Sequence, residues 1–436
     1  MSLVHPASAE SSETGLDIFD VPPTQTAVID GTIVEHFPLS SISQGAPIEF
    51  FINTSGDEYL DLKNTFLQIK AKITKQDGSP LTANDNDHDV APVNNWMHSL
   101  FQQVDVFLND TLVSASENTY PYKAYISSLL TSSKDNSVLS SELFYRDSSD
   151  KLEVTQGDDN EGLKRRRELT ANSREVDMMG PLKIDMAQQS KYIIPGVAVK
   201  IKLIPSKSSF NLMAHDAAKN FQSIITHASL HVRKLKVNPA VSLAHEKILE
   251  KTTAKYPIKR VVQKIFSIPR GQLSHVQDNL FMNQTPTRLF ILLVDNDAFN
   301  GAYKKNPFNF KTQDLIYLSL MLNGKEIAGK PLKPDFTNLQ YARSYYGLME
   351  ALGLVNNVEG GNVLEYKDFA EGFCIYGFDL SPSRVDGSEI ELIKSGSIRI
   401  EFQFSAGLAA PVNVMCMGIL DSIVEIDKSR QILIDF

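Results

Sequence analysis

Cysteine is almost absent. Cys374 and Cys416 are the only thiols in 436 residues, too few for a disulfide framework and compatible with a reducing compartment or plain core packing. No apolar run is long enough to cross a bilayer: the longest weakly polar stretch, residues 408–420, carries Pro411 and Asn413. The opening "MSLVHPASAESSETG" has no apolar core segment of the signal-peptide kind, and Ser2 excludes N-myristoylation. The expectation is a soluble chain made in the cytosol, with the sequons at Asn53, Asn109 and Asn283 coincidental. A basic excess is missing too. The formal net charge is −9 and the pI about 5.6, which argues against a nucleic-acid coat with a basic face. Catalytic signatures are also lacking, since no G-x-S-x-G, Walker A, C-x-x-C or H-E-x-x-H occurs. Ser, Asp and His are present, but nothing places them together. No enzymatic activity, catalytic residue, cofactor or metal is expected.

What is present is alternation. A hydrophobic content of 42% over this length suits two cores rather than one. "PIEFFINTS" and "NTFLQIKAKITK" alternate apolar and polar side chains, as strands with one wet face do. In "VDVFLNDTLV", Asn109-Asp110 supplies a tight turn between two strands. "TYPYKAYISSLL" then reads as a helix, with Pro121 at its opening and Tyr122, Tyr125, Ile126 and Leu129 at three-and-four spacing. A polar stretch (131–173) follows, after which "PLKIDM", "GVAVKIKLI" and "ASLHVRKLKV" resume the strands. "SLAHEKILEKTTAKYPIKR" reads as a helix and linker ended by Pro257, before strands return at "QKIFSIP" and "RLFILLV". Residues 1–35, rich in Ser, Thr, Pro and acids, read as an extended arm. Within it, "LDIFDVPPTQTAV" sets apolar residues beside two prolines, which suits either docking on a neighbour or a plain disordered tail.

The order of signals repeats. Asn109-Asp110 matches Asn323-Gly324 (323 − 109 = 214), "LKIDM" matches "YGFDL" through Asp185 and Asp379, and Gly196 matches Gly396. "ASLHVRKLKV" matches "MGILDSIVEI", and each hairpin is followed by a tyrosine-rich helix (120–130 and 341–352). A unit near 200 residues is too long for a solenoid and fits a whole β-sandwich in tandem, each copy with about eight strands and a helix after the middle hairpin. The fold class is therefore all-β: tandem (double) jelly-roll β-sandwiches with a few short helices in the loops. The boundaries are an N-terminal arm (1–35), a first jelly roll (36–240), a helical linker (241–260) and a second jelly roll (261–436).

Six stretches point further: "NNWMHSLFQQVDVFLNDTLVSASENTYPYKAYISSLL", "GLKRRRELTANSREVDMMGPLKIDMAQQSKYIIPGVAVKIKLIPSKSSFNLM", "AKYPIKR", "NPFNF", "GFDLSPS" and "SIVEIDKSRQILIDF". Through them residues 40–436 resemble double jelly-roll major capsid proteins of Polinton and adintovirus type, including copies resident in invertebrate genomes. More remotely, they resemble the capsid proteins of large icosahedral DNA viruses. The resemblance implies homotrimeric, pseudo-hexameric capsomers that contact one another and tile an icosahedral shell, with a minor or penton capsid protein as a further partner. It implies a virion location after synthesis in the host cytosol, with nuclear assembly left open. The arm is acidic where a genome-binding tail would be basic, so no direct sequence-specific nucleic-acid binding is expected. Two other readings stay open: a host-repurposed capsid relative, and a two-domain lectin-like binding module.

Four local features carry weaker signals. "DNDHD" (85–89) alternates carboxylates beside His88, but an EF-hand would need Gly at Val90 and Glu at Trp96. His227 and His231, four apart on a strand, would stand about 13 Å apart, too far to share a metal. "LKRRRE" (163–168) is the one dense basic run: an import signal, a nucleic-acid contact or a protease site, set against an exposed helix or loop whose arginines pair with nearby acids or serve a trimer contact. Tyr120, Tyr122, Tyr125, Tyr341, Tyr345 and Tyr346 suit helix-on-sheet packing better than a stacking platform for bases or sugars.

Overall fold

The computed structural model describes every residue except 1–6, 10, 12, 55, 83–89, 115–116, 132–136, 217–219, 282–283, 328, 356–363, 383–389, 392–394 and 436, and except the side chains of Thr14 and Thr131. "DNDHD" lies outside the described residues. In the first half the strands are β1 (Val28–His36), β2 (Ile48–Ile52), β3 (Glu58–Lys75), β4 (Val90–Pro92), β5 (Phe101–Leu108), β6 (Thr111–Leu112), β7 (Val176–Pro181), β8 (Val199–Pro205), β9 (Leu212–Ala214) and β10 (Phe221–Val237). The helices among them are α1 (Trp96–Ser99), α2 (Tyr120–Thr131), α3 (Glu161–Thr170) and α4 (Ser208–Asn211). Helix α5 (Pro239–Leu249) leads to β11 (Ala254–Ile268), β12 (Ser274–Gln277), β13 (Arg288–Asp295), α6 (Asn296–Asn300), β14 (Leu315–Leu322) and β15 (Lys325–Glu326). The chain closes with α7 (Ala342–Ala351), α8 (Tyr366–Ala370), β16 (Ile375–Asp379), β17 (Ile398–Phe404), β18 (Val412–Ile426) and β19 (Ile432–Ile434). No described helix is long and apolar enough to cross a membrane.

Eight strands of each half repeat in the same order, with the β4-β9 pair of the first half and β19, on β18 of the second, added outside the repeat. The first half folds into sheets ordered β1-β10-β3-β7 and β2-β8-β5-β6; the second repeats them as β11-β18-β13-β16 and β12-β17-β14-β15. Eight antiparallel strands in two four-stranded sheets of this order make a jelly roll, and the chain holds two. Three of the four sheets bury one face, as the alternating burial of β3, β8 and β17 shows, whereas β13 and much of β18 in the fourth are buried on both.

The hairpins confirm the repeat and refine its alignment. Asn109 and Asp110 have φ of 44° and 65°, Asn323 and Gly324 of 51° and 76°, the left-handed pair that a two-residue turn requires. Two sequence matches need correction. By register, Val199 stands to Leu108 as Ile398 stands to Leu322, an offset of 398 − 199 = 199. Gly196 and Gly396 therefore miss equivalence by one residue. The strand equivalent to β16 is β7, since each flanks the third strand of its sheet, so "LKIDM" is not the partner of "YGFDL". Asp185 instead opens a 3-10 turn (Asp185–Ala187).

Two boundaries also move. β1 begins at Val28, inside the span read as arm, because it pairs along β10 from Val28–Val237 to His36–Leu230. Helix α5, capped by the Asn238 side chain with Pro239 in its first turn, ends at Leu249. Pro257 does not end it but lies within β11, opposite Ile423. β11 is an edge strand, where a missing N–H costs least.

Candidate functional site

Two surfaces of the fold are candidates for function, together with the contacts that hold them. The first surface is the junction between the rolls, and it is built by exchange. Tyr122, Tyr125, Ile126 and Leu129 of α2 are buried in the core of the second roll. In return, Tyr256 and Ile258 of β11, Val424 and Ile426 of β18, and Ile432 of β19 are buried in the core of the first. Tyr125 stacks on Phe308 with ring centroids 4.2 Å apart, and Tyr122 stacks on Phe299 at 5.6 Å. The packing reading fits Tyr120, Tyr122, Tyr125, Tyr341 and Tyr345 but not Tyr346, and the two helices do not pack alike. α7 lies on β16 of its own roll, where Gly347 and Gly377 let the two backbones approach. Tyr341 is buried, Tyr345 donates to Leu364 O at 2.9 Å, and Tyr346 is exposed.

Polar residues lock the same junction. The basic run 163–168 lies in α3, whose N-cap Asn160 accepts from Leu163 N. Arg166 is not exposed: it is fully buried, donates to Pro92 O, Tyr145 O and Asp147 Oδ1, and Asp147 takes a further hydrogen bond from Asn306 of "NPFNF" at 3.1 Å. Arg167 donates to Thr155 O, and Lys164 pairs with Asp158 at 2.9 Å. The run is thus largely consumed by structure. Arg146 pairs bidentately with Asp368 (2.9 and 3.2 Å) and sits 5.2 Å over the Phe373 ring. Lys305 and Lys311 join Glu153 to Asp295. Burial would push the Asp295 carboxyl up, but hydrogen bonds from Lys311, Gln313 and Lys305 outweigh it and hold the group below its ordinary range. Residues 145–167 of the stretch read as polar (131–173) are therefore a clamp from the first half onto the second. Their polarity is spent on long-range pairs, which no local pattern reveals.

The C-terminal segment returns the clamp. Arg430 donates from Nε to Pro195 O at 2.8 Å, and its carbonyl accepts from Asn109 Nδ2 at 2.9 Å. With its side chain so engaged, the Asn109 sequon is a structural turn. Tyr256 OH donates to Tyr192 O and accepts from Ile194 N, and burial pushes its pKa up to about 12.

The titratable groups are structural as well. His98 is buried with Nδ1 2.8 Å from Tyr120 OH and Nε2 3.3 Å from Glu142. Burial lowers the His98 pKa, so the ring is neutral near pH 7. Burial acts to raise the Glu142 pKa, but hydrogen bonding from His98 and the nearby Lys183 charge hold the group below its ordinary range. One tautomer satisfies everything: Nε2–H donates to Glu142, and Nδ1 accepts from Tyr120. His227 and His231 occupy β10; His231 is 3.1 Å from Gln68 Oε1, while His227 packs edge-on against Phe37. Among the described residues no group of three metal-ligating side chains forms. Cys374 and Cys416 are both buried, with the Cys374 thiol pushed up to about 12 and that of Cys416 raised too. Strand β13 runs between β16 and β18, and Cys374, just before β16, is staggered by two residues from Cys416, so the two cysteines lie about 12 Å apart, beyond disulfide reach.

The second surface is apolar and exposed. Leu16, Ile18, Phe19 and Val21 of the arm, Ile29 and Ile33 of β1, and Leu243 and Ile248 of α5 all face solvent. β1 and β11 are edge strands with one side unpaired among the described residues. Such edges and patches are the features by which chains associate.

No family model matches this sequence. A curated Caenorhabditis elegans protein, described as uncharacterized, is 26% identical over 428 residues, covering 95% of this chain and 99% of that protein. Among solved structures, a chain of the Sputnik virophage aligns with a TM-score of 0.64 at 12% identity, over 100% of this chain and 94% of that one. The mavirus major capsid protein aligns at 0.55 with 13% identity, over 100% of this chain and 97% of that one. The Faustovirus major capsid protein aligns at 0.56 with 9% identity, over 93% and 92%. The alignments cover 93–100% of this chain, and the chain has the double jelly-roll fold of these viral capsid proteins.

Proposed function

We propose that this chain is a major capsid protein whose activity is assembly. The observation that carries the reading is the strand-for-strand duplication of one eight-stranded roll, locked into a single block by exchanged side chains. Three such chains around a threefold axis present six near-equivalent rolls, a pseudo-hexagonal unit that tiles a closed icosahedral shell. The arm, the two rolls and the short linker between them are its parts. The unit contacts other copies of itself and a minor capsid protein at the vertices; the chain is made in the host cytosol and its place is the virion. With Arg166 buried and the arm acidic, sequence-specific nucleic-acid binding is no part of the reading. Nor is catalysis, since the buried His98, Glu142 and thiols are spent on packing.

Light scattering followed by negative-stain imaging tests this. A particle of about 145 kDa, three times 48.5 kDa, with a hexagonal outline supports it. A stable monomer at micromolar concentration overturns it.

The full-length Caenorhabditis elegans relative favours a second reading, a capsid relative retained by an animal genome for another role. Trimers that never close into shells at any ionic strength would select it.

A further inference from the structure

The arm and a groove on the first roll complement each other. The groove, about 410 Å³, opens between α5 and the starts of β1 and β11, and Tyr59, Ile194, Val237, Val241 and Tyr256 give it apolar walls. Lys191 and Lys255 also line it. Lys191 gives one hydrogen bond, to Lys255 O, and has no carboxylate partner among the described residues. Ile248 at its side is 55% exposed. The arm presents the opposite chemistry: Leu16, Ile18, Phe19 and Val21 are 71, 74, 92 and 87% exposed and interleave with Asp17 and Asp20. No Lys or Arg occurs before Lys63. An apolar strip with two carboxylates thus matches an apolar groove with two ammonium groups, of which Lys191 has no carboxylate partner among the described residues and Lys255 is shared with Glu425 at 2.9 Å.

The groove of the same chain is poorly placed to receive it. Ala27 and Val28 themselves line the groove, and Pro22-Pro23 stand between them and Val21. Two prolines fix φ near −65° and keep Val21 extended as well, so the segment cannot turn back sharply. We propose that residues 16–21 of one copy dock in this groove of a second copy, apolar side chains inward and Asp17 and Asp20 toward Lys191 and Lys255. The proposal rests on the assembly reading and names the receptor for the arm.

The test places a photo-crosslinking benzoylphenylalanine at position 19 of the full chain, in an equal mixture of isotopically light and heavy protein. Cross-links joining light to heavy chains within residues 237–256 are expected. Cross-links joining only like to like, falling elsewhere, or failing to form overturn the docking. Light scattering on the same sample reports the trimer separately. A trimer without mixed cross-links overturns the docking and leaves the capsomer standing; a monomer that cross-links only when concentrated does the reverse. Trimming the anchor by Ile18→Ala, with the probe kept at 19, should cut the yield about tenfold. The charge-swapped groove K191E/K255E should lose yield, and adding D17K/D20K should restore it, a recovery that misfolding cannot produce.

Discussion

Asn109 and Asn323 close the same turn in the same way, one in each roll. Asn109 N donates to Ala198 O at 3.0 Å and its Oδ1 accepts from Ala198 N at 2.7 Å; Asn323 does the same with Ser397, at 3.0 and 2.9 Å. Each thereby adds one rung to the ladder between the middle hairpin and the strand beside it. Both hold a positive φ that asparagine tolerates better than most residues. Only Asn109 has a second task, its contact with Arg430 O at the C-terminal segment.

This difference sets the first expectation. Asn323→Ala should cost about 1 kcal/mol, and Asn109→Ala about 2 kcal/mol because it also releases the C-terminal segment. Urea unfolding of both variants measures the difference. Equal losses would mean that the Arg430 contact contributes nothing.

Arg166 and Asp147 form a fully buried pair. Removing one partner strands the other, so Arg166→Met should destabilise by ~3–5 kcal/mol. Adding Asp147→Asn removes the stranded charge and should recover part of that loss. Arg166→Lys should behave like the Met variant, since one ammonium group cannot reach Pro92 O, Tyr145 O and Asp147 together. Chemical denaturation of the three proteins decides the matter, and a harmless Lys variant would refute the fork.

The Tyr125–Phe308 stack couples the rolls. Each alanine substitution should cost ~3–5 kcal/mol, with a coupling of about 1 kcal/mol in the double-mutant cycle. Calorimetry of the wild type should show one transition, and Tyr125→Ala should split it in two. Unchanged cooperativity would show that the polar clamp alone joins the rolls.

Stability should fall with acid through His98 and Glu142. Both pKa values are lowered in the fold, from ordinary values of 6.5 and 4.5, so the unfolded chain takes up protons first. The stabilisation is complete above pH 6.5. It declines as pH falls below that value, and more steeply below 4.5. His98→Gln can keep hydrogen bonds to Tyr120 and Glu142 and should flatten the upper part of the decline. Unfolding midpoints measured every half pH unit read this out; an unchanged slope would place the acid sensitivity elsewhere.

How much was legible follows from the range of the interactions. Alternation in "NTFLQIKAKITK" marks β3 because burial on one face of a sheet has a period of two. The Asn-Asp and Asn-Gly turns were visible because left-handed φ restricts residue choice locally. Pro257 misled because the penalty of a missing N–H depends on whether a strand lies at an edge, which is a property of the sheet. Arg166 reads as surface charge beside Arg165 and Arg167, and only Asp147 and Asn306 make its burial tolerable. The exposed apolar strip at Leu16–Val21 was seen; the groove that complements it draws on residues from 27 to 256.

The amino-acid sequence by itself determined that the chain is two copies of an all-β roll, since strand periodicity, turn chemistry and the order of repeated segments are local and survive divergence. Tertiary structure alone decided how the copies become one block: α2 buried in the second core, residues 145–167 clamped across the junction and the C-terminal strands returned to the first core. Those choices rest on contacts between residues hundreds of positions apart. Their energies depend on burial and partner geometry, which no window along the chain contains.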